Sequence, residues 1–278
     1  DAAAYYQKQL WETKPGESAL SYLLKKRKFS KDTVKTFGLG FSPQEGNGLI
    51  NHLLTQEFTP EEIVESGVGV KRSIAEEGMR DRFHGRLIIP IFDVYGDAVA
   101  FGGRALSTGM EPKYLNSPET LLYEKGNIFY ALNAAKESIK KNGKAVIAEG
   151  YMDVMRAHEA GITDVIGTCG TALTGNQVRL LKRFTSSVIF FFVGDSAGKQ
   201  ATLRAFEPAI AEDMMIRVLR PPKDQDPDDW IREDVSEVKS ALEDPLYFFD
   251  FLFNEVSQSY DLSKVDERKK ALAEIFPF

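Results

Sequence analysis

From Lys144 onward the sequence alternates short apolar runs with helical segments, and this rhythm restricts the possible folds more than any other feature. Ala145–Ala148 reads as an apolar strand, 151–160 as a helix and Asp164–Gly167 as a second strand. Thr174-Gly175-Asn176-Gln177 is a capping box that opens a helix running to Phe184. Val188–Val193 is apolar almost throughout and rich in aromatic and β-branched residues, the composition of a strand covered on both faces. Gly198–Asp213 then predicts a helix and Ile216–Leu219 a fourth strand. Strands separated by crossover helices predict a mainly parallel sheet flanked by helices. After Trp230 the chain reads as helical to its end, with Ser263-Lys264-Val265-Asp266 as the capping box of the last helix.

The first half has a different texture. Ser18–Lys28 has helical spacing, Ser30 is an N-cap, and Gly38 and Gly40 end the short helix that follows. Thr59-Pro60-Glu61-Glu62 is a helix start with a capping box and proline at the first position. Leu87–Phe92, a turn at Asp93–Asp97 and Ala98–Phe101 predict an antiparallel hairpin. Thr108–Ser117 reads as irregular and Asn127–Lys141 as a helix. The expected class is α/β: a mixed α+β subdomain over 1–143, a Rossmann-like parallel-sheet domain over 144–235, and a helical segment over 236–278.

Composition narrows the chemistry. The single cysteine, Cys169, excludes a disulfide framework and a Cys-rich zinc site within these 278 residues. The histidines His52, His84 and His158 are too scattered for a metal-ligand spacing, so any metal must be held mainly by carboxylates. No run of about 18 apolar residues is present to span a membrane, and no signal peptide is visible. The first residue is Asp1 rather than Met, as expected for an excised piece of a longer protein. The net charge of −6 divides unequally: 19 basic against 18 acidic residues in 1–143, and 16 against 23 in 144–278. A nucleic-acid contact would therefore rely on a local basic patch, while a hard cation would find its ligands in the acidic half.

In a doubly wound sheet, ligands bind beyond the carboxyl ends of the strands. Glu149-Gly150-Tyr151-Met152-Asp153 follows the first strand, Gly194-Asp195-Ser196-Ala197-Gly198 the third, and Asp224–Asp229 the fourth. Four carboxylates within 224–229 repel one another unless a cation neutralises them, although acidic residues at such turns also serve as helix caps. Oxygen donors without a Cys/His cluster point to Mg²⁺ or Mn²⁺.

These motifs resemble the Toprim domain of bacterial primases, topoisomerases and some nucleases, through Glu149–Val154, Gly170-Thr171-Ala172, Gly194–Gly198 and Asp226-Pro227-Asp228. The preceding segment narrows the resemblance. Arg82-Phe83, Pro90-Ile91, Gly102-Gly103-Arg104, Lys113–Thr120 and Lys125-Gly126 before Tyr130-Ala131-Leu132 are similar to the RNA-polymerase core of the DnaG-type replicative primases. The resemblance implies synthesis of short RNA primers on single-stranded DNA from ribonucleoside triphosphates, in the cytoplasm at a bacterial replication fork. It implies that Glu149, Asp153, Asp195, Asp226 and Asp228 bind Mg²⁺ or Mn²⁺, with Glu149 and Asp195 catalytic. It further implies that Arg82, Arg86, Arg104, Lys113, Asn116 and Lys125 hold template or nucleotide. Replicative helicase and single-strand-binding protein are implied partners of the full-length protein, through a zinc domain and a helicase-interacting domain that these residues do not include; no membrane is implied.

The resemblance has one departure. The family reads Asp-Gly-Asp after the third strand, where this chain has Val193-Gly194-Asp195. A side chain without a lone pair stands at a ligand position, so weakened metal binding and reduced activity are expected. The alternatives are a catalytically impaired single-stranded-DNA-binding module and another Toprim nuclease or topoisomerase.

Overall fold

The structure, a computed structural model, describes residues 1–44, 46–72, 78–170, 172–192, 206–222 and 225–275. The chain forms two compact units, Asp1–Asn133 and Ala134–Phe278.

The first unit opens with α1 (Ala2–Glu12) and α2 (Lys14–Ser21), and α2 continues into a π-helical turn over Tyr22–Lys26. Then come α3 (Lys31–Thr36), β1 (Gly40–Ser42), α4 (Gly48–Thr55) and α5 (Pro60–Glu65). Ser30 and Thr59 cap α3 and α5 as expected, Thr59 in a full capping box with Glu62. β2 (Gly69–Lys71) and β3 (Met79–Asp81) form a small antiparallel pair. β4 (Arg86–Phe92) and β5 (Ala98–Ala105) are the predicted hairpin, and the Asp93 carboxylate holds its turn by accepting the N–H groups of Tyr95, Gly96 and Asp97. Thr108–Ser117, expected to be irregular, contains the short strand β6 (Tyr114–Asn116). Its three residues pair with Gly102–Arg104 and complete a sheet of order β1-β4-β5-β6. Three residues are too few to show a period; the free edge of β5 recruits them.

The core of this unit gathers Tyr6, Phe83 and Phe101 edge to face, with Leu49, Ile63 and Ile88 around them. Gly103 allows this packing, because a Cβ there would lie 2.6 Å from the Phe83 ring. Asp81 is buried and accepts the N–H groups of Leu49 and Ile50 at 3.1 and 3.0 Å, which ties β3 to the start of α4.

α6 (Leu132–Asn142) leads into the second unit, where the predicted alternation holds. β7 (Ala145–Ala148), α7 (Tyr151–Glu159), β8 (Val165–Gly167), α8 (Gly175–Lys182), β9 (Ser187–Phe191), α9 (described over 206–211) and β10 (Met215–Leu219) follow in turn. Thr174 and Gln177 form the expected capping box of α8. β10, β9, β7 and β8 lie side by side and parallel, so the α/β class is the one observed. Val146, Ile147, Ile166, Ile189 and Phe190 are buried along these strands.

α10 (Pro227–Glu233) and α11 (Val235–Ala241) follow β10. The stretch expected to be wholly helical also contains β11 (Leu246–Tyr247), which adds an antiparallel edge to β10 before α12 (Phe248–Ser259) and α13 (Val265–Ile275). The capping box expected at Ser263 does not form. The Ser263 hydroxyl turns back to Asp261 at 2.6 Å, closing a local turn, and α13 starts one residue beyond Lys264.

Candidate functional site

Because β7, β9 and β10 are parallel, the segments after them leave from one edge of the sheet. Glu149 and Gly150 connect β7 to α7, and Glu149 is partly buried. Asp153, the third residue of α7, folds back to accept the Gly150 N–H at 3.1 Å. Glycine leaves room for this closure, since a Cβ at position 150 would lie 2.6 Å from Asp153 Oδ2 and the carboxylate would have to shift.

After β10 the chain reaches α10, whose first turn carries the remaining acids. Asp226 is the N-cap and accepts the Asp229 N–H at 2.7 Å. Asp228 presents its backbone N–H to Asp153 Oδ1 at 3.3 Å. Asp153 therefore sits among acids, and its pKa is raised to about 7. Burial is the main cause, followed by the charges of Asp226 and Asp228, and the two N–H groups act in the opposite direction.

The Asp228 carboxylate does not stand open. It is 1% exposed and accepts Arg156 Nε at 2.7 Å, while the same guanidinium pairs with Glu159. Arg156 was not legible as a site residue; the only hint is a cation set among the apolar positions Val154, Met155 and Ala157 of α7.

Asp153, Asp226 and Asp228 are thus brought together, and Glu149 lies at the same strand end. Asp195 and Val193 lie outside the described residues. Among the described residues, no group of three or more His, Cys, Asp or Glu side chains is arranged to hold a metal ion by itself. The donor chemistry nevertheless fits a hard divalent cation: the donors are all oxygen, and a crowded carboxyl that keeps its proton to near neutrality gains from a positive neighbour.

The basic residues expected in the first unit divide by environment. Arg86 is buried and donates to the carbonyls of Gly103 at 3.2 Å and Pro112 at 2.8 Å, so it clamps the loop before β6. Arg82 is half-buried and donates through Nε and Nη2 to the Asn116 carbonyl, joining two of the expected residues through backbone. Lys113 is exposed, Asn116 lies in β6, and Lys125 begins a 3₁₀ turn over Lys125–Asn127.

Arg104 has the most elaborate setting. Its guanidinium lies 4.6 Å from the Tyr22 ring and 5.8 Å from the Tyr114 ring, and its Nε donates to the Tyr114 hydroxyl at 3.2 Å. Arg27 Nε donates to the Tyr22 hydroxyl at 2.7 Å, and Lys26 reaches the same ring. Cations interleaved with aromatic faces suit a single strand, which offers phosphates and bases together. The sequence reading missed Tyr22, Lys26 and Arg27, although the run Lys25-Lys26-Arg27-Lys28 just after a tyrosine was a visible signal.

Comparison with known proteins agrees with this division. Residues 5–136 match the family described as DNA primase catalytic core, N-terminal domain, and residues 143–220 match the Toprim domain. A DNA primase of Synechococcus elongatus is 37% identical over 273 residues, covering 96% of this chain and 39% of the relative. The chain spans about two fifths of the length of the curated relatives it matches. The RNA polymerase domain of Mycobacterium tuberculosis primase DnaG superposes with a TM-score of 0.87 at 32% identity, covering 99% of this chain and 90% of that one. A DnaG primase catalytic domain bound to single-stranded DNA gives 0.84 at 31% identity, covering 99% and 88%. A shared fold at this identity over nearly the whole chain is common descent: the chain belongs to the DnaG-type DNA primase catalytic cores.

Proposed function

We propose that this chain is a nucleotidyl-transfer core that makes short RNA primers on single-stranded DNA from ribonucleoside triphosphates. The observation that carries the reading is the Asp153 carboxyl, held by the Gly150 and Asp228 N–H groups and crowded by Asp226. In this reading Glu149, Asp153, Asp195 and Asp226 are the direct donors to Mg²⁺ or Mn²⁺. Asp228, the fifth acid expected from the sequence, is bound to Arg156 and braces the set. A bound divalent ion would neutralise charge on the attacking and leaving oxygens. Asp153 would hold such an ion as its carboxylate, with its proton released to solvent, and its hydrogen bond from the Gly150 N–H would keep that carboxylate in place.

In the first unit, Arg104, Lys113 and Lys125 bind phosphate, with Tyr22 and Tyr114 offering faces to bases. Arg82 and Arg86 act from within, holding the strand and loop that carry these groups. Helicase and single-strand-binding protein at a bacterial replication fork are partners of the whole protein. The reading is tested by primer synthesis on a single-stranded template with Mg²⁺ or Mn²⁺, with Glu149→Gln as control. Metal-dependent RNA products that vanish in Glu149→Gln support it, and equal products from both chains overturn it.

One observation favours a second reading. Val193 removes an oxygen donor where the family has aspartate, so a chain that binds single strands with little catalysis is the competing reading.

A further inference from the structure

Arg156 stands one helical turn beyond Asp153, and Glu159 one turn beyond Arg156, so the three line one face of α7. Arg156 is 6% exposed. A guanidinium so far from water must be paired on several sides, and here it joins Glu159 of its own helix to Asp228 of α10. The Asp228 carboxylate faces Arg156 while its backbone N–H faces Asp153. One residue of α10 is thereby pinned to α7 at two points, through its backbone and its side chain, two residues beyond Asp226.

We propose that Arg156 is a positioning residue of this chain's cation site, fixing Asp228 so that its N–H holds Asp153 and its neighbour Asp226 reaches the ion. The proposal rests on the acidic edge being a divalent-cation site, as read above. A carboxylate that is 1% exposed and already satisfied by a guanidinium contributes geometry and not coordination. Arg156 also sets a positive charge beside Asp228, which lowers the repulsion among the carboxylates when the ion is away.

The test is direct binding of Mn²⁺, read by electron paramagnetic resonance of the free ion, with Mg²⁺ as competitor. The expected result is that Asp228→Asn weakens Mn²⁺ binding less than about threefold, because the amide oxygen still accepts from Arg156. Arg156→Met weakens it about tenfold or more, and Arg156→Lys recovers part of the loss. Two outcomes overturn the proposal alone: loss of more than about tenfold in Asp228→Asn, which makes Asp228 a ligand, or unchanged or tighter binding in Arg156→Met. Asp228→Asn decides the matter even where Arg156→Met fails to fold. If the parent chain binds no Mn²⁺, or if Asp153→Asn and Asp226→Asn leave binding intact, the reading of the acidic edge fails and the proposal falls with it.

Discussion

The two units handle charge in opposite ways. In the first, cations are satisfied before any ligand arrives: Arg86 by carbonyls, Arg82 by the Asn116 carbonyl, Arg104 by two rings and a hydroxyl. In the second, carboxylates are pressed against one another, and Asp153 is left with a pKa of about 7. A site that binds long polyanions gains by holding its cations rigid, since many weak contacts share the work. A site that binds one small ion gains by crowding like charges that the ion would relieve. Asp228 and Arg156 bring the first strategy into the second unit, where a buried ion pair stands beside the crowded Asp153.

The comparison breaks most visibly at Glu149. Glu149→Gln should reduce primer synthesis by about a thousandfold or more, because removal of a metal donor costs several kcal/mol at the transition state. Single-strand affinity should stay within about twofold of the parent, since that contact is assigned to the other unit. A matched fall in DNA binding, measured by fluorescence anisotropy, would mean the two charge systems are not separate.

Stability separates them next. Arg86→Ala should cost about 3 kcal/mol, because it strands carbonyls that the guanidinium now satisfies. Hydrogen exchange should show the loss first in β4, β5 and β6. For Asp153 the folded pKa of about 7 lies above the unfolded value near 4. The native state binds the extra proton between those values, so without metal this group lowers stability as pH rises from about 4 to about 7, and the effect then levels off. Asp153→Asn should be more stable than the parent at pH 8 in chelator, by up to about 4 kcal/mol, and should lose the stabilisation that Mg²⁺ gives the parent. If the melting-temperature advantage of Asp153→Asn over the parent in chelator did not grow from about pH 4 to about pH 7, Asp153 would not be crowded.

Smaller effects sharpen the first unit. Tyr22→Ala should weaken single-strand binding by about 1–2 kcal/mol through lost stacking. Lys113→Ala should weaken it about threefold and reduce the slope of log affinity against log salt by about 0.7. If Lys113 proved the larger loss, the aromatic-cation cluster around Arg104 would not be the main contact surface.

Much of this was legible in the sequence, and what was hidden has a physical reason. The β7–β10 alternation, the Thr59 and Thr174 caps and the Asp93 turn depend on neighbours a few residues apart, which sequence spacing displays. β6 and β11 are recruited by strands that already exist, so their own three and two residues carry little signal. Arg82 and Arg86 are alike in sequence, yet one lies half-buried and the other is enclosed by carbonyls supplied from 103 to 112. Arg156 and Asp228 are 72 residues apart, a pairing that only the docking of α10 on α7 creates. The acidic motifs at strand ends were readable; that one of them is locked to a buried arginine was not.

The most direct measurement compares RNA primer synthesis by this chain and by Val193→Asp, on single-stranded DNA with Mg²⁺ and then Mn²⁺. The expected result is that both bind the template alike, while the Asp chain makes primers at least about tenfold faster, as one restored oxygen donor would give. Template binding by both chains with no RNA from either, in either metal, would contradict the assignment of nucleotidyl transfer to the acidic edge and leave single-strand binding as the function of the fold.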